Sequence, residues 1–338
     1  MKILVTGAAG FIGMHTCLAL LRRGDRVLGI DNLNDYYDVN LKLKRIKTLK
    51  KYQKFMFYKI DIKTNNFSKI INFKPKKIIH LAAQAGVRHS LNKPEDYISN
   101  NINGFLNILQ LSKLLKVKHL SYASSSSVYG GNTHDKFSEN HNVDHPISMY
   151  AVSKKTNELM AHSFSHLYKL PTTGMRFFTV YGPWGRPDMA GMIFIKNILE
   201  GKKINVFNYG NMIRDFTYID DIVDGILKIN DKIAIPSKIH DPLSPLPSIS
   251  DAPFRIFNLG NNRPINLINF IQEIEKNLNK KAKINLLPIQ KGDVPKTSAD
   301  ISLSNKWMKF KPSTDIKHGV KNLVKWYFTY NKIVTQKK

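Results

Sequence analysis

KILVTGAAGFIGMHTCLALLRR, residues 2–23, decides how the rest of the chain is read. Residues 3–21 carry no charge, so a signal peptide or a membrane helix is the first alternative to weigh. Gly7, Gly10 and Gly13 interrupt that run at three-residue spacing, and Thr6, His15 and Thr16 dilute it. Such a pattern suits a bilayer poorly and predicts a strand over 2–6, a tight turn, and a helix over 11–22. Glycines at those places permit the turn, let backbone approach a phosphate and let the helix pack close to the strand. The unpaired N–H groups at the helix start attract negative charge. The turn, with Phe11 and Ile12 at the head of the helix, is therefore a candidate dinucleotide site.

The same alternation continues outward from this stretch. Residues 26–30, 55–59, 77–81, 119–123 and 173–177 read as buried strands, with helical stretches such as 104–115 between them. Strands alternating with helices predict an α/β fold, a Rossmann-type doubly wound parallel sheet. The pattern weakens past Tyr181, where Gly182-Pro183-Trp184-Gly185-Arg186-Pro187 makes a loop. Two units are expected: an NAD-binding domain over 1–181 and a smaller mixed α/β substrate domain over 182–338, some of whose segments return to the first. The Pro/Ser-rich stretch 236–253 reads as a surface excursion.

At 338 residues with 42% hydrophobic and 10% aromatic content, the chain can bury about two cores, which excludes a peptide, a small disulfide scaffold or a lone binding module. Fifty-two Lys and Arg against 25 Asp and Glu give +27, which points to an anionic partner: nucleic acid, membrane surface or a phosphorylated small molecule. The charge is densest over 42–77, where 13 cations face one acid, Asp61, among Tyr52, Phe55, Phe57 and Tyr58. We read the aromatics as strand core and the lysines as a solvated face, since no nucleic-acid signature accompanies them. No nucleic-acid or membrane partner is expected. Cys17 has no partner for a disulfide and the histidines are scattered, so neither a zinc site nor any other metal is expected, and a reducing, cytoplasmic setting is.

The second strand ends at Asp31, eighteen residues past Gly13, where a carboxylate can accept hydrogen bonds from both adenosine ribose hydroxyls. An NADP site would place Arg or Lys there, and the sequence instead continues Asn32-Leu33-Asn34-Asp35, which favours NAD. Asp61-Ile62 suits the adenine edge, although Asp61 also reads as an ordinary strand-end acid. Leu81-Ala82-Ala83 leaves room for the cofactor. Tyr150 and Lys154 lie four apart in a predicted helix over 148–168 and share a face. A tyrosine at its usual pKa near ~10 is a poor base, but a nearby ammonium and a nicotinium charge favour the phenolate. The spacing equally fits an exposed helical pair. What favours chemistry is Ser124-Ser125-Ser126-Ser127-Val128-Tyr129-Gly130 at the end of the preceding strand, on the carboxyl edge where such sheets bind ligands.

Together the glycine turn, Asp31-Asn32, His80-Leu81-Ala82-Ala83, the serine run and Tyr150/Lys154 resemble the extended short-chain dehydrogenase/reductases, the nucleotide-sugar epimerases in particular. ASSSSVYG (123–130), RFFTVYGPWGRPDMA (176–190), RDFTYIDD (214–221) and KGDVPKTSAD (291–300) are similar to the UDP-glucuronate 4-epimerase branch, in order over nearly the whole chain. The resemblance implies Tyr150 as base, with Lys154 holding the nicotinamide ribose and lowering the tyrosine pKa, and Ser125 hydrogen-bonding the reacting sugar hydroxyl. It places Asn101 and Phe177 along the cofactor, Thr179 by the sugar, Arg186 and Arg214 on the diphosphate and Asp293 on the uridine ribose. It further implies a homodimer formed through helices of the first domain.

Departures separate the reactions of that family. Dehydratases carry Asp-Glu just before their Val-Tyr-Gly, where this chain has Ser126-Ser127, and decarboxylases of the same sugar acid carry a glutamate where Ser127 sits. Hexose epimerases tend to have an arginine where Gln290 stands. Hydroxyls of Ser126 and Ser127 suit a sugar carboxylate, as does Arg88, which fits a structural ion pair equally well. The expected activity is NAD-dependent 4-epimerisation of UDP-glucuronate to UDP-galacturonate through a transient 4-keto sugar. The alternatives are a UDP-glucose/UDP-galactose 4-epimerase and a non-catalytic NAD-binding regulator.

Overall fold

Ile3 and Val5 pack into one apolar cluster and Leu4 into another, and all three are fully buried. A strand covered on both faces is what a parallel sheet between helices demands. The protein is described here by a computed structural model covering residues 1–64 and 66–333. It forms β1 (Lys2–Thr6), β2 (Arg26–Asp31), β3 (Phe55–Lys59), β4 (Lys77–His80), β5 (His119–Ser125) and β6 (Thr172–Phe177). Beyond them come β7 (Thr179–Tyr181), β8 (Lys203–Val206), β9 (Ile213–Arg214), β10 (Phe216–Tyr218), β11 (Phe254–Leu259), β12 (Ile265–Asn266) and β13 (Lys283–Leu286).

The central sheet has seven parallel strands in the order β11-β6-β5-β4-β1-β2-β3. Chain order reverses between β1 and β4, which opens a crevice at their carboxyl ends. β11 comes from the second half of the chain, and the helix Ile219–Asp231 packs on the same layer against the helix Phe11–Arg22. The remaining strands pair two by two: β7 with β10 and β8 with β13 in parallel, β9 with β12 antiparallel. The Pro/Ser-rich stretch links the helix Ile219–Asp231 to β11, and its Leu243 is 95% exposed.

Three details differ from the sequence reading. Tyr58, read as strand core, lies exposed near the end of β3. β5 runs on to Ser125 because Ser124 and Ser125 pair with Arg176 and Phe177 of β6, a register invisible in a serine run of low strand propensity. Two of the lysines read as a solvated face, Lys42 and Lys77, are buried, as is Arg45. Lys42 Nζ donates to Asn34 and Lys77 Nζ to the Asn230 carbonyl. The helix Val39–Leu49 turns one flank toward the glycine turn and the loop around Trp184, and a long cationic stem buries readily there if its head finds acceptors.

Candidate active site

Gly7 sits at φ +71°, and a Cβ there would come within 2.7 Å of the Ala82 nitrogen; a Cβ on Gly13 would lie 2.0 Å from the Gly7 carbonyl oxygen. Only glycine fits either place, and the helix Phe11–Arg22 starts without a side-chain cap on its N–H groups. Above this turn, at the carboxyl edge of the sheet, lies a cleft of about 850 Å³. A cradle of bare backbone and uncapped helix dipole fits a dinucleotide diphosphate.

Gly7, Gly10, Phe11, Ile12, Gly13, Asp31, Asn32, Ile62, Leu81, Ala82, Ala83 and Phe177, the candidate cofactor residues, line this cleft. Asp31 is tied down first: Oδ2 accepts from Ala9 N at 3.1 Å and Oδ1 from Leu33 N at 2.9 Å. Burial raises its pKa, while those N–H groups, Lys42 and Arg45 oppose the shift. Two expected residues stand behind the lining instead. Asn101 is buried, its amide bridging both backbone groups of Gln84 and the Ser153 hydroxyl. Asp61 accepts from Asn32 at 3.3 Å and from Lys63 N at 2.9 Å. Both hold lining residues in place.

At the other end the chemistry converges. Ser148 caps the helix Met149–Tyr168 by accepting from Ala151 N at 3.2 Å, which sets Tyr150 in the first turn and Lys154 one turn on. Lys154 is buried, donates to the Ala123 carbonyl at 2.9 Å, and burial lowers its pKa to about 8. Burial raises the Tyr150 phenol above its ordinary pKa, opposed only in part by the Ser125 hydroxyl and the Arg186 guanidinium; the expected lowering by Lys154 is not found, its ammonium being turned to the Ala123 carbonyl. Ser125 also donates to Ser127 Oγ at 3.1 Å and accepts from Ser127 N. Ser126, Ser127 and Thr179 line the same region.

The two arginines expected on one diphosphate have separate surroundings. Arg186 is gripped by Asp188 at 3.0 and 2.5 Å and acts on Tyr150 and Tyr36. Arg214 donates to the carbonyls of Ile213 and Pro295, with Asp293 and Arg88 as its charged neighbours. Arg88 pairs with Asp293 at 3.4 Å, over the Phe207 ring, and this contact joins the two halves of the chain across the cleft. Sequence reasoning missed Tyr36, Lys42, Asp188 and Phe207, all of which line the cleft. The Tyr36-Tyr37 pair inside a polar loop was a usable signal; Lys42, on a helix eleven residues past Asp31, gave none.

The sequence profile of the NAD dependent epimerase/dehydratase family matches residues 3–239. The chain is 50% identical over 334 residues to the protein CapI of Staphylococcus aureus, covering 98% of this chain and all of that one. It is 45% identical over 337 residues to UDP-glucuronate 4-epimerase 4 of Arabidopsis thaliana, covering 97% of this chain and 75% of that protein. The structure of UDP-glucuronic acid 4-epimerase from Bacillus cereus in complex with UDP-glucuronic acid and NAD superposes with a TM-score of 0.86 at 32% identity, over 98% of this chain and 100% of that one.

Proposed function

The chain belongs to the NAD dependent epimerase/dehydratase family, and we propose that within it this protein interconverts UDP-glucuronate and UDP-galacturonate. It is an isomerase, an NAD-dependent UDP-sugar 4-epimerase. NAD, when bound, supplies the hydride acceptor and donor for the sugar C4. The glycine turn, Asp31 and the Ala82-Ala83 wall would hold it.

The choice of a uronate rests on one observation, the serine wall: Ser125, Ser126 and Ser127 line the cleft together with Tyr150. Tyr150 removes the C4 hydroxyl proton, so C4 must lie against it. In a uronate the carboxylate hangs on the adjacent C5, which brings it within reach of that wall. Ser126 and Ser127 offer hydroxyl donors there, where an acid would repel it. Ser125 steadies the C4 oxygen; the 4-keto sugar then turns over and Tyr150 returns the proton. Incubating the protein with UDP-glucuronate and with UDP-glucose, and following each C4 epimer, tests the reading. Equal turnover of both would replace it with the hexose epimerase.

Assembly follows from exposed apolar surface. Leu114 is 67% exposed on the helix Gly104–Leu114, and Leu159 and Leu167 are 58% and 64% exposed on the helix Met149–Tyr168. These two helices pack together, and we assign their outer face to a homodimer, to be checked by sedimentation with Leu159→Lys as the disrupting variant. Among the described residues no helix is long and apolar enough to cross a membrane. We propose a cytoplasmic setting, the expectation for a chain whose single cysteine, Cys17, has no disulfide partner.

A further inference from the structure

Arg45 and Arg176 are both fully buried, in different surroundings. Arg176 meets the Glu158 carboxylate at two points, and that pairing raises its pKa. Arg45 has no carboxylate within hydrogen-bond distance. Its Nη1 donates to the Ala9 carbonyl at 2.9 Å and the Tyr37 hydroxyl at 2.6 Å, its Nη2 to the carbonyls of Trp184 at 2.6 Å and Gly185 at 3.3 Å, and its Nε has no partner. Every one of these acceptors is neutral. The nearest carboxylate, Asp31, acts on it only through space and is shared with Lys42, and Arg186 adds a repelling charge. Burial accordingly lowers the Arg45 pKa.

A buried cation with no ion pair of its own and a shared, distant counter-charge gains from the arrival of a second anion. Ala9, whose carbonyl Arg45 holds, lies inside the glycine turn whose opposite face takes the diphosphate. We propose that Arg45 is a positioning residue for the cofactor, a fixed counter-charge behind the turn that the bound diphosphate balances, and a strut tying that turn to the loop that carries Arg186. The assignment concerns the cofactor alone and is independent of which sugar is epimerised. It also explains a charge that the Rossmann pattern does not require, placed on a helix outside the glycine motif.

The test is NAD titration of cofactor-stripped protein, without sugar, for wild type, Arg45→Met and Arg45→Lys, each with a thermal melt. Arg45→Met is expected to fold but to melt lower than stripped wild type, since four acceptors lose their donor, and to bind NAD at least about tenfold more weakly. Arg45→Lys keeps the charge and is expected to recover affinity to within about threefold of wild type. NAD affinity unchanged in Arg45→Met would overturn the proposal, as would equal weakening in both variants, which would mean that shape and not charge matters. Should Arg45→Met fail to fold, Arg45→Lys decides alone: near wild-type affinity supports the proposal and a tenfold loss overturns it.

Discussion

Glu158 and Arg176 meet side-on beneath the serine run, Nε to Oε1 and Nη2 to Oε2 both at 2.9 Å, with neither side chain reaching solvent. Glu158 Oε1 also accepts from Ser124 at 2.6 Å, so a salt bridge one turn past Lys154 fastens the strand end that carries Ser125. Removing one partner leaves the other charge buried and unpaired. Glu158→Ala should therefore lose roughly 3–5 kcal/mol of stability, read as a lowered unfolding midpoint. A loss below about 1 kcal/mol would show that the pair contributes little.

Tyr150→Phe removes the proton acceptor and leaves the lining intact. Activity should fall by several orders of magnitude with NAD binding preserved. A variant that kept more than about a tenth of the wild-type rate would require another base.

The depressed Lys154 pKa carries a stability signature. Folded, the ammonium titrates at about 8; unfolded, at 10.5, so between those values the unfolded chain binds more protons and stability rises with pH. Below about pH 8 the full penalty of the buried charge is present. Lys154→Met should abolish turnover and, at pH 7, be more stable than wild type by on the order of 2 kcal/mol, allowing for the lost bond to Ala123. The gain should shrink as pH rises from 8 to 10.5, as melts across that range will show.

Asp31 should make NAD bind at least about tenfold tighter than NADP, since a 2′-phosphate would meet its carboxylate. The structure adds that Lys42 stands close to Asp31 and lines the cleft. Asp31→Asn should accordingly weaken NAD while narrowing or reversing the preference, because Lys42 remains. Titration of stripped protein with both cofactors measures it.

UDP-glucuronate should be preferred over UDP-glucose by at least roughly a hundredfold in kcat/KM, because donors arranged for a charged group are left unpaired by an uncharged one. Ser127→Glu should abolish turnover of the acid by like-charge repulsion with NAD affinity unchanged. Persistent turnover of UDP-glucuronate by this variant would move the carboxylate away from the serine wall.

Residues 2–23 alone determined the strand, turn and helix, because glycine spacing and an uncharged apolar run are local properties that local backbone geometry obeys. The alternation behind them gave the parallel sheet, and Asp31, Tyr150 and Lys154 announced themselves by fixed distances from strand ends and along one helix. The tertiary structure decided what depends on segments far apart in the chain. Arg45 reaches Trp184 across 139 positions, Arg88 reaches Asp293 across 205, and Tyr36 reaches Asp188 across 152. Whether a lysine or arginine is a solvated charge or a buried strut depends on which neighbour covers its helix face. That is set by the docking of the loop 182–189 over the helix Val39–Leu49, a contact between surfaces that no spacing within either segment encodes.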